Sequence, residues 1–249
     1  MAGAAELAPR SFDSLERAQE EALCIRFESR RSKALQEGLI LRQNPGAGIS
    51  GVLYDAAICL AARLVEDPGL IEPRGKVVEL DCLGCGTGLV GLTAASLGHS
   101  TLCTDRSEQA LRLAKQSAAD NGLGHLIEFA HWEWQEAVPA ACSGGTTFLA
   151  ADLVYTELGG RALLAALDAA AGPGSTILVA FKLRDAAVRS AIKTFLNSAR
   201  ECFDECTPLP LTPISAASVV TPAGVELAKY GPEVNAITLY RLCRFGPSL

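Results

Sequence analysis

The sequence predicts an α/β fold in which a mainly parallel sheet is covered by helices on both faces. From residue 76 onward, short apolar runs alternate with longer segments whose apolar residues recur at helical spacing. The short runs are almost continuously apolar, which is typical of parallel strands buried on both faces. A sheet of this kind binds ligands at the carboxyl ends of its strands, beside the point where the strand order reverses.

The predicted elements follow in a regular order. Residues 1–35 are charged and helix-prone, 38–43 are typical of a short strand, and Leu53–Val65 carries the wide apolar stripe of a buried helix. Among the later helices, one has Ser107 as a cap and Gly122 as an end. The later predicted strands are 76–83, 100–105, 126–132, one within 146–155, 175–182 and 235–243. The later predicted helices are 89–97, 107–122, 157–171 and about 185–200.

The amino-acid composition excludes several classes of function. The chain has 249 residues, 49% of them apolar and 20% charged, which suits one well-packed domain. Its 22 Lys and Arg against 28 Asp and Glu argue against a protein held mainly by phosphate backbones or anionic membranes. The nine cysteines are odd in number and scattered, so we expect no disulfide framework. Charged residues such as Glu6, Arg10 and Asp13 interrupt any apolar run near the start, so we expect no secretory leader. The expectation is a cytoplasmic location, with the nucleus as a second compartment, and no membrane-spanning segment.

We expect two regions along the chain. Residues 1–50 form a helical and β-strand extension, and 51–249 form the α/β domain itself. The extension carries a basic cluster in an otherwise acidic chain, and a solvated face is the simpler interpretation of it. A docking patch for an acidic partner is the alternative. The cluster consists of Arg26, Arg30, Arg31 and Lys33.

A glycine-rich loop follows the first strand of the domain. Glycines at a strand-to-helix turn let the backbone approach a ligand closely, although they also simply make tight turns. Asp105, at the end of the next strand, favours the ligand interpretation, because a carboxylate there can accept both ribose hydroxyls of a nucleoside. The loop glycines are Gly84, Gly86 and Gly88.

The nucleoside could belong to a nicotinamide cofactor. Residues 86–91 read Gly-Thr-Gly-Leu-Val-Gly, which matches the dinucleotide pattern G-x-G-x-x-G. A nicotinamide-dependent oxidoreductase is therefore one alternative. Against it, no Tyr in the chain is followed by Lys four residues later, so the dyad of short-chain reductases is missing.

Further segments form a more specific combination with that loop. They are GVLYDAAICLAARL at 51–64, VVEL at 77–80, GCGTGLVGL at 84–92, TD at 104–105, HWE at 131–133 and DLVY at 152–155. Together they resemble family 16 of the protein lysine methyltransferases, which includes the Hsp70 and valosin-containing-protein methylases. DLVY is similar to the Asp-x-x-Tyr signature of that family and is the most specific part. The resemblance extends from about Leu39 to Arg244 and implies a Rossmann-like sheet of seven strands.

The resemblance also implies S-adenosylmethionine as cofactor and roles for single residues. The loop glycines lie beneath the methionine part, and Asp105 holds the ribose. Trp132 packs on the adenine, and Tyr54 stands where the family has a tryptophan beside the cofactor. Asp152 contacts the cofactor and, with Tyr155, receives the substrate lysine.

Asp152 and Tyr155 suit methyl transfer on chemical grounds as well. A sulfonium methyl group is attacked by a neutral amine, whereas free lysine has a pKa of about 10.4. Asp152 can bind and aim the amine, but a carboxylate favours the charged form, so its value lies in positioning. Tyr155 can line the channel and contact the cationic nitrogen. The simpler alternative is an Asp that caps the following loop and a Tyr in the core.

One segment departs from the family. Relatives read E-L-G-x-G-T-G, whereas here two or three residues are inserted between Glu79-Leu80 and the loop. Glu79 and Asp81 are the candidate acids for the cofactor. Asp81 could reach the cofactor's amino group through a bulge while Glu79 is displaced, or binding could be impaired. Impaired binding would leave a catalytically inert module with a methyltransferase fold. The insertion also creates the pair Cys82 and Cys85, which we interpret as incidental thiols rather than a redox or zinc site.

The resulting hypothesis is an S-adenosylmethionine-dependent protein-lysine N-methyltransferase. Its substrate would be a non-histone protein such as a chaperone, an AAA ATPase or a translation factor. We expect no nucleic acid, membrane or metal partner, and a monomeric chain.

Overall fold

The computed structural model describes residues 19–28, 32–44, 51–72, 75–80, 87–142, 145–211, 216–230 and 236–246. The strands are β1 (Ala22–Phe27), β2 (Leu39–Arg42), β3 (Lys76–Leu80), β4 (Thr101–Asp105), β5 (Ile127–His131), β6 (Gly145–Ala151), β7 (Thr176–Lys182), β8 (Glu205–Leu209), β9 (Ala217–Val220), β10 (Glu226–Tyr230) and β11 (Ile237–Cys243). The helices are α1 (Lys33–Glu37), α2 (Asp55–Glu66), α3 (Leu89–Ser96), α4 (Glu108–Asp120), α5 (Glu157–Ala170) and α6 (Ala186–Cys202), with short 3₁₀ turns at Pro68–Leu70 and Ala140–Cys142.

Seven strands form the main sheet in the order β5-β4-β3-β6-β7-β11-β8. The five strands from β5 to β7 are parallel, and β11 runs antiparallel between β7 and β8. From β3 the chain goes one way to β4 and β5, and then returns to place β6 on the other side of β3. The carboxyl ends of β3 and β6 therefore flank the point where the strand order reverses, which is where such sheets bind ligands. The predicted α/β class and the seven-stranded sheet are confirmed.

Successive residues of the central strands face two separate cores. Val77 packs with the apolar side chains of α2, α3 and α4, whereas Val78 packs with those of α5 and α6. Leu149 and Phe148 of β6 divide between the two cores in the same way. This two-sided burial is the reason why the strands are uniformly apolar in sequence.

A second sheet has four antiparallel strands in the order β10-β9-β1-β2. It joins segments from both sides of the predicted boundary at residue 50, and that boundary stays a prediction. The helical interpretation of residues 1–35 is wrong for Ala22–Phe27, which form β1. There, Leu23, Ile25 and Phe27 are buried at alternate positions, and burial with a period of two overrides the helix propensity of the segment. Residues 1–18, Arg30 and Arg31 lie outside the described part of the chain.

Three strands in the proline-rich C-terminal part of the chain were not predicted. They are β8, β9 and β10. Pro208 lies in β8, which is the edge strand of the main sheet, where a residue without an N–H group is tolerated. None of the described helices is both long and apolar enough to cross a bilayer.

Candidate active site

Most of the predicted site residues that the structure describes lie at the carboxyl ends of the parallel strands. Their positions directly after apolar runs in the sequence predicted this placement. Glu79 is the penultimate residue of β3, Asp105 ends β4, Trp132 follows β5, and Asp152 follows β6. Asp81, Gly84 and Gly86, together with Cys82 and Cys85, lie outside the described residues, so their predicted roles stay predictions.

Gly88 is the one loop glycine that the structure describes. It caps α3 in the left-handed conformation, with φ 70° and ψ 22°. A Cβ atom at this position would lie 3.1 Å from the Cβ of Ala114 on α4. The turn into α3 therefore needs glycine both for its conformation and for the close approach of α4.

Glu79 is buried, with 5% of its surface exposed. Its carboxyl group accepts hydrogen bonds from the backbone N–H groups of Val90 and Gly91 in the first turn of α3, and Cys103 donates its thiol to Oε2 over 3.1 Å. Burial raises the pKa of Glu79 to about 7, against the opposing effect of these hydrogen bonds. Glu79 thus connects β3, β4 and α3 through these hydrogen bonds. Its predicted contact with the cofactor stays a prediction.

Gly91 makes the close contact between α3 and the sheet possible. A Cβ atom there would meet Oε2 of Glu79 at 2.5 Å and Sγ of Cys103 at 2.6 Å. We expect Gly91→Ala to lower the free energy of unfolding by about 1–3 kcal/mol, because the added methyl group overpacks this contact and displaces the buried carboxyl group. Chemical denaturation measures the change. Gly172→Ala, where a Cβ atom meets nothing within 4 Å, is the control, and equal stability of both variants would contradict the packing role.

Asp105 has no exposed surface. Its Oδ1 accepts the backbone N–H of Ser107 over 2.6 Å, and Ser107 in turn caps α4. The backbone N–H of Trp132 donates to the carbonyl oxygen of Asp105 over 3.1 Å, which ties the ends of β4 and β5 together. The acid is therefore held rigidly at the position that the sequence predicted.

A cavity of about 310 Å³ opens beside these strand ends. Arg106 and Glu133 face each other across 3.9 Å on one side, and Tyr155 lies on another. Both indoles are buried in the core that α5 and α6 share, but Trp134, 6% exposed, also lines this cavity, whereas Trp132 is 1% exposed and is not among the lining residues. The predicted contact of Trp132 with adenine stays a prediction. Trp134 was not predicted, and it lies in the turn that follows β5.

Asp152 forms the most elaborate contacts of the site. It is 4% exposed, and its φ of 59° lies in the left-handed region that few residues other than glycine, Asn and Asp adopt. Arg184 donates from Nη1 to Oδ1 over 2.8 Å and from Nη2 to Oδ2 over 2.5 Å. The backbone N–H of Lys182 donates to Oδ1 over a longer 3.4 Å. A bidentate guanidinium pair of this kind fixes the direction of the carboxylate.

Tyr155 contacts Arg184, and Tyr54 precedes a residue that is ion-paired at the end of β7. The guanidinium carbon of Arg184 lies 5.2 Å from the centre of the Tyr155 ring, in a cation–π contact. Tyr54 is half-buried at the start of α2. The next residue, Asp55, pairs with Nζ of Lys182 over 2.7 Å, and this buried ion pair holds the start of α2 against the end of β7.

The structure therefore brings Asp152 and Tyr155 together through Arg184 at the end of β7, and it places Tyr54 next to Asp55, the partner of Lys182. Arg184, Lys182 and Asp55 were not predicted. Arg184 and Lys182 shared a signal of position, because β7 neighbours β6 and its carboxyl end meets that of β6 at the same edge, whereas Asp55 at the start of α2 gave no such signal. Within the part of the chain that the structure describes, no three His, Cys, Asp or Glu side chains group as ligands for a metal ion.

Chemically, the edge combines the buried carboxyl group of Asp105 with a second carboxylate, an aromatic ring and paired cations. Neither Asp152 nor Glu79 is close to a Ser, Cys or His pair that would form a nucleophile with its base among the described contacts. Cys103 does touch Glu79, but both are buried beneath α3. The arrangement suits binding and orientation of a bound group more than covalent catalysis by a side chain.

Comparison with known proteins points in one direction. The sequence model of a family described as lysine methyltransferase matches residues 33–202. Protein N-lysine methyltransferase METTL21A of Danio rerio is 34% identical over 142 residues, which cover 55% of this chain and 62% of that protein. EEF1A lysine methyltransferase 3 of Mus musculus is 30% identical over 149 residues, with 59% and 62% covered. The chain thus matches somewhat less than two thirds of the length of these relatives.

Two solved structures share the fold. The S-adenosylmethionine-dependent methyltransferase SibL in its apo form superposes with a TM-score of 0.51 and 17% identity, covering 76% of this chain and 55% of that one. An O-methyltransferase family protein from Burkholderia thailandensis superposes with a TM-score of 0.52 and 11% identity, covering 77% and 56%. At these identities the likeness concerns the fold alone.

Proposed function

The chain belongs to the lysine methyltransferase family whose sequence model it matches, and from that membership we propose that it transfers a methyl group from S-adenosylmethionine to a lysine side chain of another protein. The observation that carries this proposal is the placement of Asp152 and Tyr155. They follow β6 at the edge where the strand order reverses, beside the acid that ends β4. A carboxylate and an aromatic ring there can receive a cationic side chain next to a bound nucleoside.

The described residues fit S-adenosylmethionine. Asp105 would hold the ribose, Gly88 and the first turn of α3 would lie beneath the methionine part, and the indole of Trp134 offers an apolar face for adenine. When bound, S-adenosylmethionine supplies an electrophilic methyl group on a positively charged sulfur. The chain's own residues would bind and orient the amine.

We expect Asp105→Asn to weaken the affinity for S-adenosylmethionine by about 10- to 100-fold, because the amide lacks the negative charge and one of the two acceptor oxygens, and hydrogen bonds to a charged group contribute about 1.5–3 kcal/mol. Calorimetric titration measures this loss. Asp120→Asn, at the far end of α4, is the control and should bind as the wild type does. Undiminished affinity in Asp105→Asn would remove the acid from the cofactor site.

Titration with NAD in place of S-adenosylmethionine tests the oxidoreductase alternative. Binding of S-adenosylmethionine and not of NAD supports the proposal, and binding of NAD alone would overturn it. Binding of neither would favour the inert module with a methyltransferase fold.

The acceptor protein can be identified directly by labelling. The names of two relatives make EEF1A a first protein to test, beside the chaperones and AAA ATPases that the resemblance suggested. Incubation of a cell lysate with labelled S-adenosylmethionine, with and without the protein, should place label on one or a few proteins. A lysate in which the protein adds no label anywhere would contradict the proposed activity.

A further inference from the structure

Arg184 contacts Asp152 through both carboxylate oxygens, and this affects the chemistry of the proposed reaction. An isolated carboxylate would hold an incoming lysine in its charged ammonium form, since an opposite charge within a few ångströms favours ionisation. An ammonium has no electron pair and cannot accept a methyl group. Asp152 alone would therefore bind the substrate well and hinder its reaction.

The guanidinium of Arg184 removes this difficulty. Arginine keeps its charge at every pH at which proteins are folded, so the Asp152–Arg184 pair has no net charge. A carboxylate has about four acceptor positions, of which the two Arg184 bonds use two and the longer bond from the backbone N–H of Lys182 uses a third. Room remains for an N–H group of a neutral amine to donate to Asp152.

The other charges around the pair are balanced as well. Lys182 on β7 pairs with Asp55 on α2 over 2.7 Å, and Arg106 after β4 faces Glu133 after β5 over 3.9 Å. Tyr155 presents its ring to the guanidinium. Asp185 is exposed and accepts the N–H of Val188 as the cap of α6. Of these charged side chains, Arg184 is the one that donates directly to the Asp152 carboxylate. Removal of Arg184 would therefore change the charge beside Asp152 most.

We propose that Arg184 is a positioning residue that cancels the charge of Asp152 and so lets the acceptor lysine lose its proton at neutral pH. The N–H bond of the ammonium breaks, the electron pair stays on nitrogen, and the proton passes to solvent water. The neutral amine then donates a hydrogen bond to Asp152 and points its electron pair away from the carboxylate. This inference rests on the proposed function.

The pH profile of kcat tests this role, because it reports groups that titrate in the complex of enzyme and substrate. We expect Arg184→Gln to shift the profile to higher pH by about 1–2 units, since one charge beside the amine is lost. Turnover at pH 7.5 should then fall about 10- to 100-fold and recover near pH 10. Arg184→Lys retains the charge and should shift the profile much less. The acceptor is the protein labelled in the lysate experiment.

A second measurement needs no cofactor. Calorimetry of Nα-acetyl-lysine amide binding in two buffers of different ionisation enthalpy gives the number of protons released. The wild type should release a proton at pH 7.5, whereas Arg184→Gln should release much less and bind the probe more tightly. Arg189→Gln, on the exposed face of α6, is the control for the substitution itself, and its thermal stability should match that of the wild type.

Three results would overturn the inference. They are a profile that falls equally at every pH in Arg184→Gln, a higher turnover of that variant at pH 7.5, and equal proton release by the variant and the wild type. The first would mean that Arg184 only holds the structure, and the second that it competes with lysine. If the wild type methylates no lysine, the proposed function fails, and the proton release alone then decides the role of Arg184.

Discussion

Asp152→Asn is expected to lower methyl transfer by about 100- to 1,000-fold, which is the range that follows the loss of one preorganised electrostatic contact. Asparagine is the appropriate replacement, because it tolerates the left-handed backbone at this position, with φ 59°, whereas alanine would add strain. The amide keeps one acceptor for Arg184 but loses the charge and the second acceptor. Labelled methyl transfer to the acceptor protein measures the effect.

The affinity of Asp152→Asn for S-adenosylmethionine should stay close to that of the wild type if the side chain acts on the lysine. Asp168→Asn is a matched control, because Asp168 also pairs with an arginine, Arg244. That pair lies at the opposite edge of the sheet, beside the amino end of β7. Full turnover in Asp152→Asn, or equal loss in Asp168→Asn, would contradict the assignment of Asp152 to the reaction.

Glu79→Gln is expected to change how stability depends on pH. The pKa of Glu79 is raised from 4.5 to about 7 in the folded chain. Between pH 4.5 and about 7, Glu79 holds a proton in the folded protein that it has lost in the unfolded chain. The free energy of unfolding therefore falls as pH rises through this range. Above about pH 7 the contribution of Glu79 is constant. A difference of this size corresponds to about 3 kcal/mol.

Urea denaturation at several pH values between 4.5 and 8 measures this contribution as the difference between variant and wild type. The variant lacks the titrating group, so its stability relative to the wild type should rise with pH by about 3 kcal/mol. Glu201→Gln, at the exposed end of α6, controls for the loss of one carboxylate. Parallel stability curves for Glu79→Gln and the wild type would show that Glu79 does not titrate in this range.

Sequence order predicted the residues of the site that depend on topology. Asp105 and Asp152 follow buried apolar runs, and in a parallel sheet the ends of such runs meet at one edge whatever the details of packing. The same reasoning did not distinguish Trp132 from Trp134, because the side of the segment that faces the cavity is set by packing beneath α5. Both indoles are in the core, and Trp134 also lines the cavity.

The contact between Arg184 and Asp152 is a second feature that could not be predicted from the sequence. Nothing in its neighbourhood in the chain indicates a partner 32 residues earlier. The pair exists because β6 and β7 are adjacent and in register, with Ala151 beside Ala180. The prediction for β1 was wrong for another reason. The segment has helical propensity, and its alternate apolar side chains are buried because the strand pairs with β2 and β9.

The central claim is that this chain methylates a lysine through Asp152. Its most direct test is residue-resolved mass spectrometry of proteins labelled in a lysate by the wild type and by Asp152→Asn at equal concentration. The claim predicts methyl groups on lysine side chains with the wild type and almost none with the variant. Label on other residue types, or the same lysine label with both proteins, would contradict it.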